Sequence, residues 1–241
     1  MRGMAPYGYP LDTLLQGPSP GPRKASTAAR QSVLMWQAAS VLLHVNPAAM
    51  SMPIERFLRV PHSTDFTTIL AITDAGPRML GVALFDPVTN AELLHTSFHL
   101  PYDQAAEQPD YQNTRELNGG TLAMLCARIF GVQCNAPPSR GIAVTWVSDN
   151  TTALSWVTQN RCKSSAAQRS FIAHTMVTLL GDVVCDVTEH LAGVHMGDID
   201  RLSRGYALRH LDPAQTVDTT ANSALQALFL YLDPSQAPRA D

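Results

Sequence analysis

From about Thr67 onward, apolar residues gather into short runs set off by turn-forming residues, and the spacing within each run predicts its element. Residues 67–74 are β-branched and apolar and end in the turn chemistry of Ala75-Gly76-Pro77. Leu80 to Phe85 predicts a second strand, closed by Asp86-Pro87 and Asn90, and Glu92 to Leu100 alternates as a third. Short turns join these three into an antiparallel meander. Asn113-Thr114-Arg115-Glu116 then opens an apolar helix through Leu117, Leu122, Leu125 and Ile129. Asn113 or Thr114 can cap it, and Glu116 falls in its first turn, where a carboxylate suits the helix dipole.

Pro137-Pro138 precedes a buried strand from Ile142 to Val147 that ends at Ser148-Asp149-Asn150. Helices follow at Thr151 to Thr158 and Gln168 to Leu180, then a strand at Val183 to Val187 and a last helix at Asp198 to Leu208. The order is β-β-β-α-β-α-α-β-α, which predicts an α/β fold whose mixed five-stranded sheet carries helices on both faces. Ligands in such open sheets sit outside strand ends near a topological switch, and Asp74 and Asp149 both stand at C-terminal strand ends.

The flanks read differently. Residues 1–24 are rich in proline and glycine and predict a disordered leader. Residues 25–60 form a helical appendage in which Val33, Trp36, Ala39 and Leu43 share a side, stopping before Asn46-Pro47. Residues 65–210 are the main domain, and 211–241 are a polar tail with a short helix at Ala221 to Leu232.

Composition narrows the function. At 45% hydrophobic the 241-residue chain can bury a core, but only 15% is charged, against about 25% in an average soluble domain. The formal charge is −3, and Lys24 and Lys163 are the only lysines. Bulk positive charge therefore cannot hold nucleic acid, and any grip must come from a local arginine surface or from metal ions. Cysteines at 126, 134, 162 and 185 lack zinc-knuckle spacing and are too few for a disulfide scaffold, so they read as reduced, mostly buried thiols. The most apolar run, Val33 to Val45, is too short to span a bilayer, and no secretory segment opens the chain. The expectation is an intracellular protein of nucleus or cytoplasm rather than an organelle, with no membrane partner.

Four acids have distinctive positions: Asp74, Glu116, Asp149 and Asp200. Each has an ordinary use. Asp74 could make an Asx turn before Gly76, and Glu116 could complement a helix start. Asp149 could cap the helix at Thr151, and Asp200 could pair with Arg201 or Arg204. Brought together, such carboxylates repel unless cations neutralise them or some take up protons. Oxygen-only ligands suit Mg²⁺ or Mn²⁺ rather than zinc. Two such ions about 3.5–4 Å apart can activate water and stabilise the leaving oxygen of a phosphoryl displacement.

The context of these acids resembles one family in order. Thr73-Asp74-Ala75-Gly76, with Gly81 in the next strand, looks like the "TDAS" motif of ribonuclease H domains in reverse-transcribing elements, DIRS-like retrotransposons above all. Arg115-Glu116-Leu117 resembles their "LEL" start of the first helix, and Ser148 to Ala153 reproduces "SDNTTA". His190-Leu191-Ala192-Gly193 and Asp200-Arg201-Leu202-Ser203-Arg204 resemble "HIPG…ADRLSR", with the family's ten-residue interval between His190 and Asp200. Departures are Gly76 for serine, Ala192 for proline, Met196 for asparagine and Ile199 for alanine.

The resemblance implies a ribonuclease H-like three-layer fold and hydrolysis of the RNA strand of RNA–DNA hybrids with two Mg²⁺ or Mn²⁺ ions. Asp74, Glu116, Asp149 and Asp200 would ligate the ions, and His190 would match the histidine of the family's mobile loop, assisting water activation or product release. A hybrid would be held by its backbones. Candidate contacts are Asn150, Arg161, Lys163 and Arg169, with Arg201, Arg204 and Arg209 as a second group. Each has a competing use as a solvated charge or helix cap. Trp146 and Trp156 read as core.

No paired-aspartate polymerase turn occurs, so a separate reverse transcriptase polymerase domain or a host complex is the expected partner beside the hybrid. The rival is an inactive descendant serving as a binding or scaffold module in a larger ribonucleoprotein or protein assembly. An integrase or transposase of the same fold fits less well, because it would end on a glutamate where Asp200 stands.

Overall fold

The β-branched and apolar stretch after residue 65 forms β1 (Phe66–Ala75), the central strand of one five-stranded sheet. It is followed by β2 (Met79–Phe85) and β3 (Glu92–His99), the expected meander, each pair antiparallel. The computed structural model describes residues 66–99, 109–130, 141–162, 164, 167–181, 183–219 and 222–232, with positions 33, 36, 37, 39 and 40. After β3 come α1 (Pro109–Phe130), β4 (Gly141–Ser148), α2 (Thr151–Thr158), α3 (Gln168–Gly181), β5 (Val183–His190), α4 (Asp198–Ser203) and α5 (Ser223–Leu232).

The strand order is β3-β2-β1-β4-β5, with β4 and β5 parallel to β1. This is the mixed five-stranded sheet expected from the sequence. Two residues beyond the Ile72↔Val147 pair, Asp74 and Asp149 leave the ends of neighbouring parallel strands side by side. Topology alone thus joins two of the four acids.

Helices cover both faces. On one, Thr73 meets α1, and Leu117, Leu122 and Leu125 of that helix are fully buried. On the other, Gly81 lies under Ile199 and Ser203 of α4. The close approach of α1 to the sheet depends on Gly120: a Cβ there would stand 2.4 Å from Cε2 of Trp146, which is itself 2% exposed. The Trp146 indole donates to Thr73 Oγ1 at 2.8 Å and cannot shift without losing that bond. Gly120→Ala is therefore expected to destabilise by about 2–3 kcal/mol despite the better helix propensity of alanine, read by denaturant unfolding.

Element ends differ from expectation at three places that matter. The first core helix starts at Pro109, not Asn113, since proline suits a first helical turn. Glu116 therefore lies in the body of α1, and the helix-start reading of its charge falls away. β5 continues past Val187 to His190, paired in register with Ser148. The last helix ends at Ser203 rather than Leu208, because Gly205 adopts φ +70° and Tyr206 N–H turns back to Arg201 O at 2.8 Å.

The segment after 211 packs on the domain. Residues 212–217 run along the β3 edge: Val217 N–H donates to His95 O at 3.0 Å, and Thr96 Oγ1 donates to Val217 O at 2.9 Å. Leu225, Leu228 and Tyr231 of α5 join the core. In the 25–60 block, positions 33, 36, 37, 39 and 40 are helical, with Ala39 buried and Trp36 packed on the core, whereas Val33 is exposed. The 1–24 leader, Leu43, Cys134 and Lys163 lie outside the described residues. Cys126 is buried, while Cys162 and Cys185 are half-buried, and all three are free thiols. No helix among the described residues is long and apolar enough to cross a membrane.

Candidate active site

Asp74, Glu116 and Asp149 each offer a carboxylate oxygen within 4.8 Å of the others. β1 and β4 deliver the two aspartates, and α1 brings Glu116 to both strand ends, at Ala75 and Ser148. Asp74 and Glu116 are buried, and Asp149 is the most open of the three. Burial is the main cause that pushes the Glu116 carboxyl up to about 8, with Asp74 and Asp149 adding repulsion. Asp74 is raised as well, first by burial and then by Asp149 and Asp200, against the hydroxyl of Ser203. Glu116 thus keeps its proton at neutral pH when no cation is present.

That strain fits a cation site. The donors are all carboxylate oxygens, with no histidine or cysteine among them, the set preferred by Mg²⁺ and Mn²⁺. The geometry is braced by polar neighbours that the sequence did not single out. Glu116 Oε1 accepts from Ala75 N–H and from Gln112 Nε2, both at 3.1 Å, and Gln112 Nε2 also donates to Ala75 O at 2.7 Å. Ser148 Oγ donates to Glu116 Oε2 at 3.2 Å. Ser203 Oγ donates to Asp74 Oδ2.

The Ser203 contact also explains a departure from the family pattern. A Cβ at position 76 would lie 2.2 Å from the Ser203 backbone oxygen, so the serine of "TDAS" has no room and Gly76 replaces it. Of the other departures, Met196 before α4 and Ile199 within it are buried, whereas Ala192 is exposed. A side chain at Gly193 would meet Asp149 Oδ2 at 3.0 Å, so glycine there keeps that carboxylate clear.

Asp200 stands apart from the group of three. It is near enough to raise the Asp74 carboxyl, yet its Oδ1 accepts from Arg204 Nε at 2.7 Å. The ordinary ion-pair use is therefore realised at Asp200, beside the site. The cap of α2 is Asn150, not Asp149: Asn150 Oδ1 accepts from Ala153 N–H at 2.9 Å, and its Nδ2 donates to Asn113 Oδ1 at 2.9 Å. This frees Asp149 for the carboxylate group. His190 is exposed at the end of β5 rather than in the following loop, and Leu191 N–H donates to Ser148 O at 3.1 Å.

Of the remaining candidates, Arg161 is exposed just after α2 and Arg169 is half-buried in the first turn of α3. Arg201 donates through Nε to Ala207 O at 2.6 Å, and Arg209 is exposed. Trp146 is core, and Trp156 packs against it.

A fifth acid has a structural use that sequence reading missed. Asp198 Oδ2 accepts from the backbone N–H of Arg209 at 2.8 Å, of Leu211 at 2.9 Å, and of His210. Burial would push its carboxyl up, but those three donors outweigh it and hold it below the ordinary range. Its stabilisation is present above the unfolded carboxyl's pKa of about 3.9 and is lost as acid titrates the folded group. Asp198→Ala is expected to cost about 2–3 kcal/mol at pH 7, with a smaller difference at pH 3, measured by urea unfolding.

No family model and no curated protein matches the sequence. Distant likenesses exist among solved structures. Ribonuclease H1 from the halophilic archaeon Halobacterium salinarum is 13% identical, covers 56% of this chain and 94% of its own, and has a TM-score of 0.43. The N-terminal ribonuclease H domain of rv2228c from Mycobacterium tuberculosis is 11% identical over 58% and 98%, with TM-score 0.43. LC11-RNase H1, solved in complex with RNA/DNA hybrid, is 18% identical over 57% and 95%, also with TM-score 0.43. At these scores the chemistry rests on this chain's own residues.

Proposed function

We propose that the chain is a metal-dependent endonuclease of the ribonuclease H type that hydrolyses the RNA strand of RNA–DNA hybrids. The observation that carries this is the meeting of Asp74, Glu116 and Asp149 within 4.8 Å at the strand ends, in sequence contexts resembling that family's. We further propose a retroelement origin, action beside a separate reverse transcriptase polymerase domain or host complex, and a nuclear or cytoplasmic setting.

Asp74, Glu116 and Asp149 would hold the cations, and Asp200 would complete the set once released from Arg204. Two divalent ions there would supply a water nucleophile at neutral pH and charge stabilisation for the departing 3′-oxygen. Ser148, Gln112 and Ser203 fix the carboxylates so that little reorganisation is needed. His190, exposed beside the Ser148 end of β4, can carry a proton to or from the phosphate. Asn150, Arg161, Lys163, Arg169 and Arg204 would contact the hybrid's backbones, Asn150 being already oriented by Asn113. The products would carry 5′-phosphate and 3′-hydroxyl ends.

The test is incubation of the full chain with end-labelled hybrid, single-stranded RNA and duplex DNA in Mg²⁺ or Mn²⁺. Cleavage confined to RNA paired with DNA, lost on chelation, is the expected result. Background cleavage unaffected by chelation or by loss of Asp149 would exclude the nuclease and leave the scaffold function.

A further inference from the structure

Consecutive residues at the end of α4 engage two different acids. Ser203 reaches into the sheet to Asp74, and Arg204 turns outward to Asp200, one helical turn before it. The Arg204–Asp200 pair is set by the i,i+4 spacing of the helix itself, so it forms without any help from substrate. Burial, then Asp149 and Asp200, push the Asp74 carboxyl up, and the guanidinium adds a small downward pull to that of the Ser203 hydroxyl. Arg204 is thus a positive charge of the protein's own, placed where the acids are densest. Its side chain is 47% exposed and that of Asp200 is 35% exposed, so both have room to part.

We propose that Arg204 is a positioning residue acting as a built-in counter-ion, which occupies Asp200 and competes with a divalent cation for its oxygens. This rests on the carboxylate group being a cation site. While the pair is closed, Asp74, Glu116 and Asp149 make the group available to a cation. Asp200 joins only when Arg204 swings into solvent. Arg204 therefore weakens cation binding and makes full loading depend on the cation's concentration. Because the pair is half-exposed, its effect is modest and screened by salt.

The test uses the full metal-free chain titrated with Mn²⁺ and followed by calorimetry, with no substrate and no turnover. Arg204→Gln is expected to bind Mn²⁺ about 3–10-fold more tightly than wild type, in line with an exposed ion pair. Arg204→Met, which keeps the aliphatic stem, should agree with it, and Arg204→Lys should return toward wild type. In an Asp200→Asn background the Gln substitution should change affinity less than about twofold, because the partner it frees is gone. Mn²⁺ binding that Asp149→Asn weakens but Arg204→Gln leaves unchanged or weakens would overturn the counter-ion role alone. Absence of Mn²⁺ binding in wild type, Arg204→Gln and Arg204→Met alike would overturn the cation site and this role together.

Discussion

Asp149→Asn is expected to lower the rate of the proposed RNA-strand cleavage at least about 10³-fold while leaving the chain folded. Loss of one charged ligand from a group that holds catalytic cations removes on the order of 4 kcal/mol or more of transition-state stabilisation. Folding should be spared because Asp149 is the most open of the three and does not cap α2, a task held by Asn150. Removing its charge also relieves repulsion on Asp74 and Glu116. The metal-free mutant should therefore melt at or slightly above the wild-type temperature. Initial rates on labelled hybrid, with thermal unfolding of the same samples, check both halves.

Glu116→Gln should separate stability from function more sharply still. The Glu116 carboxyl is raised to about 8, chiefly by burial, so the folded chain holds a proton that the unfolded chain releases near pH 4.5. Stability of the metal-free protein is full below that lower value and falls as pH rises through the folded one. A glutamine cannot ionise and keeps the shape of the protonated acid. Its oxygen still accepts from Ala75 and Gln112, and its amide faces Ser148 Oγ, a hydroxyl that can turn to accept. The variant should match wild type near pH 4.5 and exceed it by on the order of 2–4 kcal/mol at pH 8.5, by urea unfolding without metal. Adding Mn²⁺ should stabilise wild type and leave Glu116→Gln nearly unmoved.

Much of the sheet was legible because strands alternate and end in strong turn chemistry. Ala75-Gly76-Pro77 and Asp86-Pro87 mark the meander, and β1, β2 and β4 fall within a residue of their expected limits. Helix starts were less so. Asn113 and Thr114 carry cap chemistry, yet α1 already runs from Pro109, and Asn113 spends its side chain on Asn150. Three of the four expected acids meet, since strand register and the α1 crossover bring them together. The position of Asp200 depended on which of two nearby arginines took it, a choice set by helix spacing and visible only in three dimensions. The supports were hidden for a different reason. Gln112, Ser148 and Ser203 are ordinary polar residues whose roles arise from partners 4 to 129 positions away. Asp198 reads as a simple helix-start acid until the returning backbone of 209–211 is in place.

The most direct measurement is anomalous scattering from crystals of the full chain grown with Mn²⁺. Two manganese peaks about 3.5–4 Å apart, bounded by Asp74, Glu116 and Asp149 with Asp200 turned toward one of them, are expected. Manganese bound only elsewhere on the surface, with no ion between those three carboxylates, would contradict it.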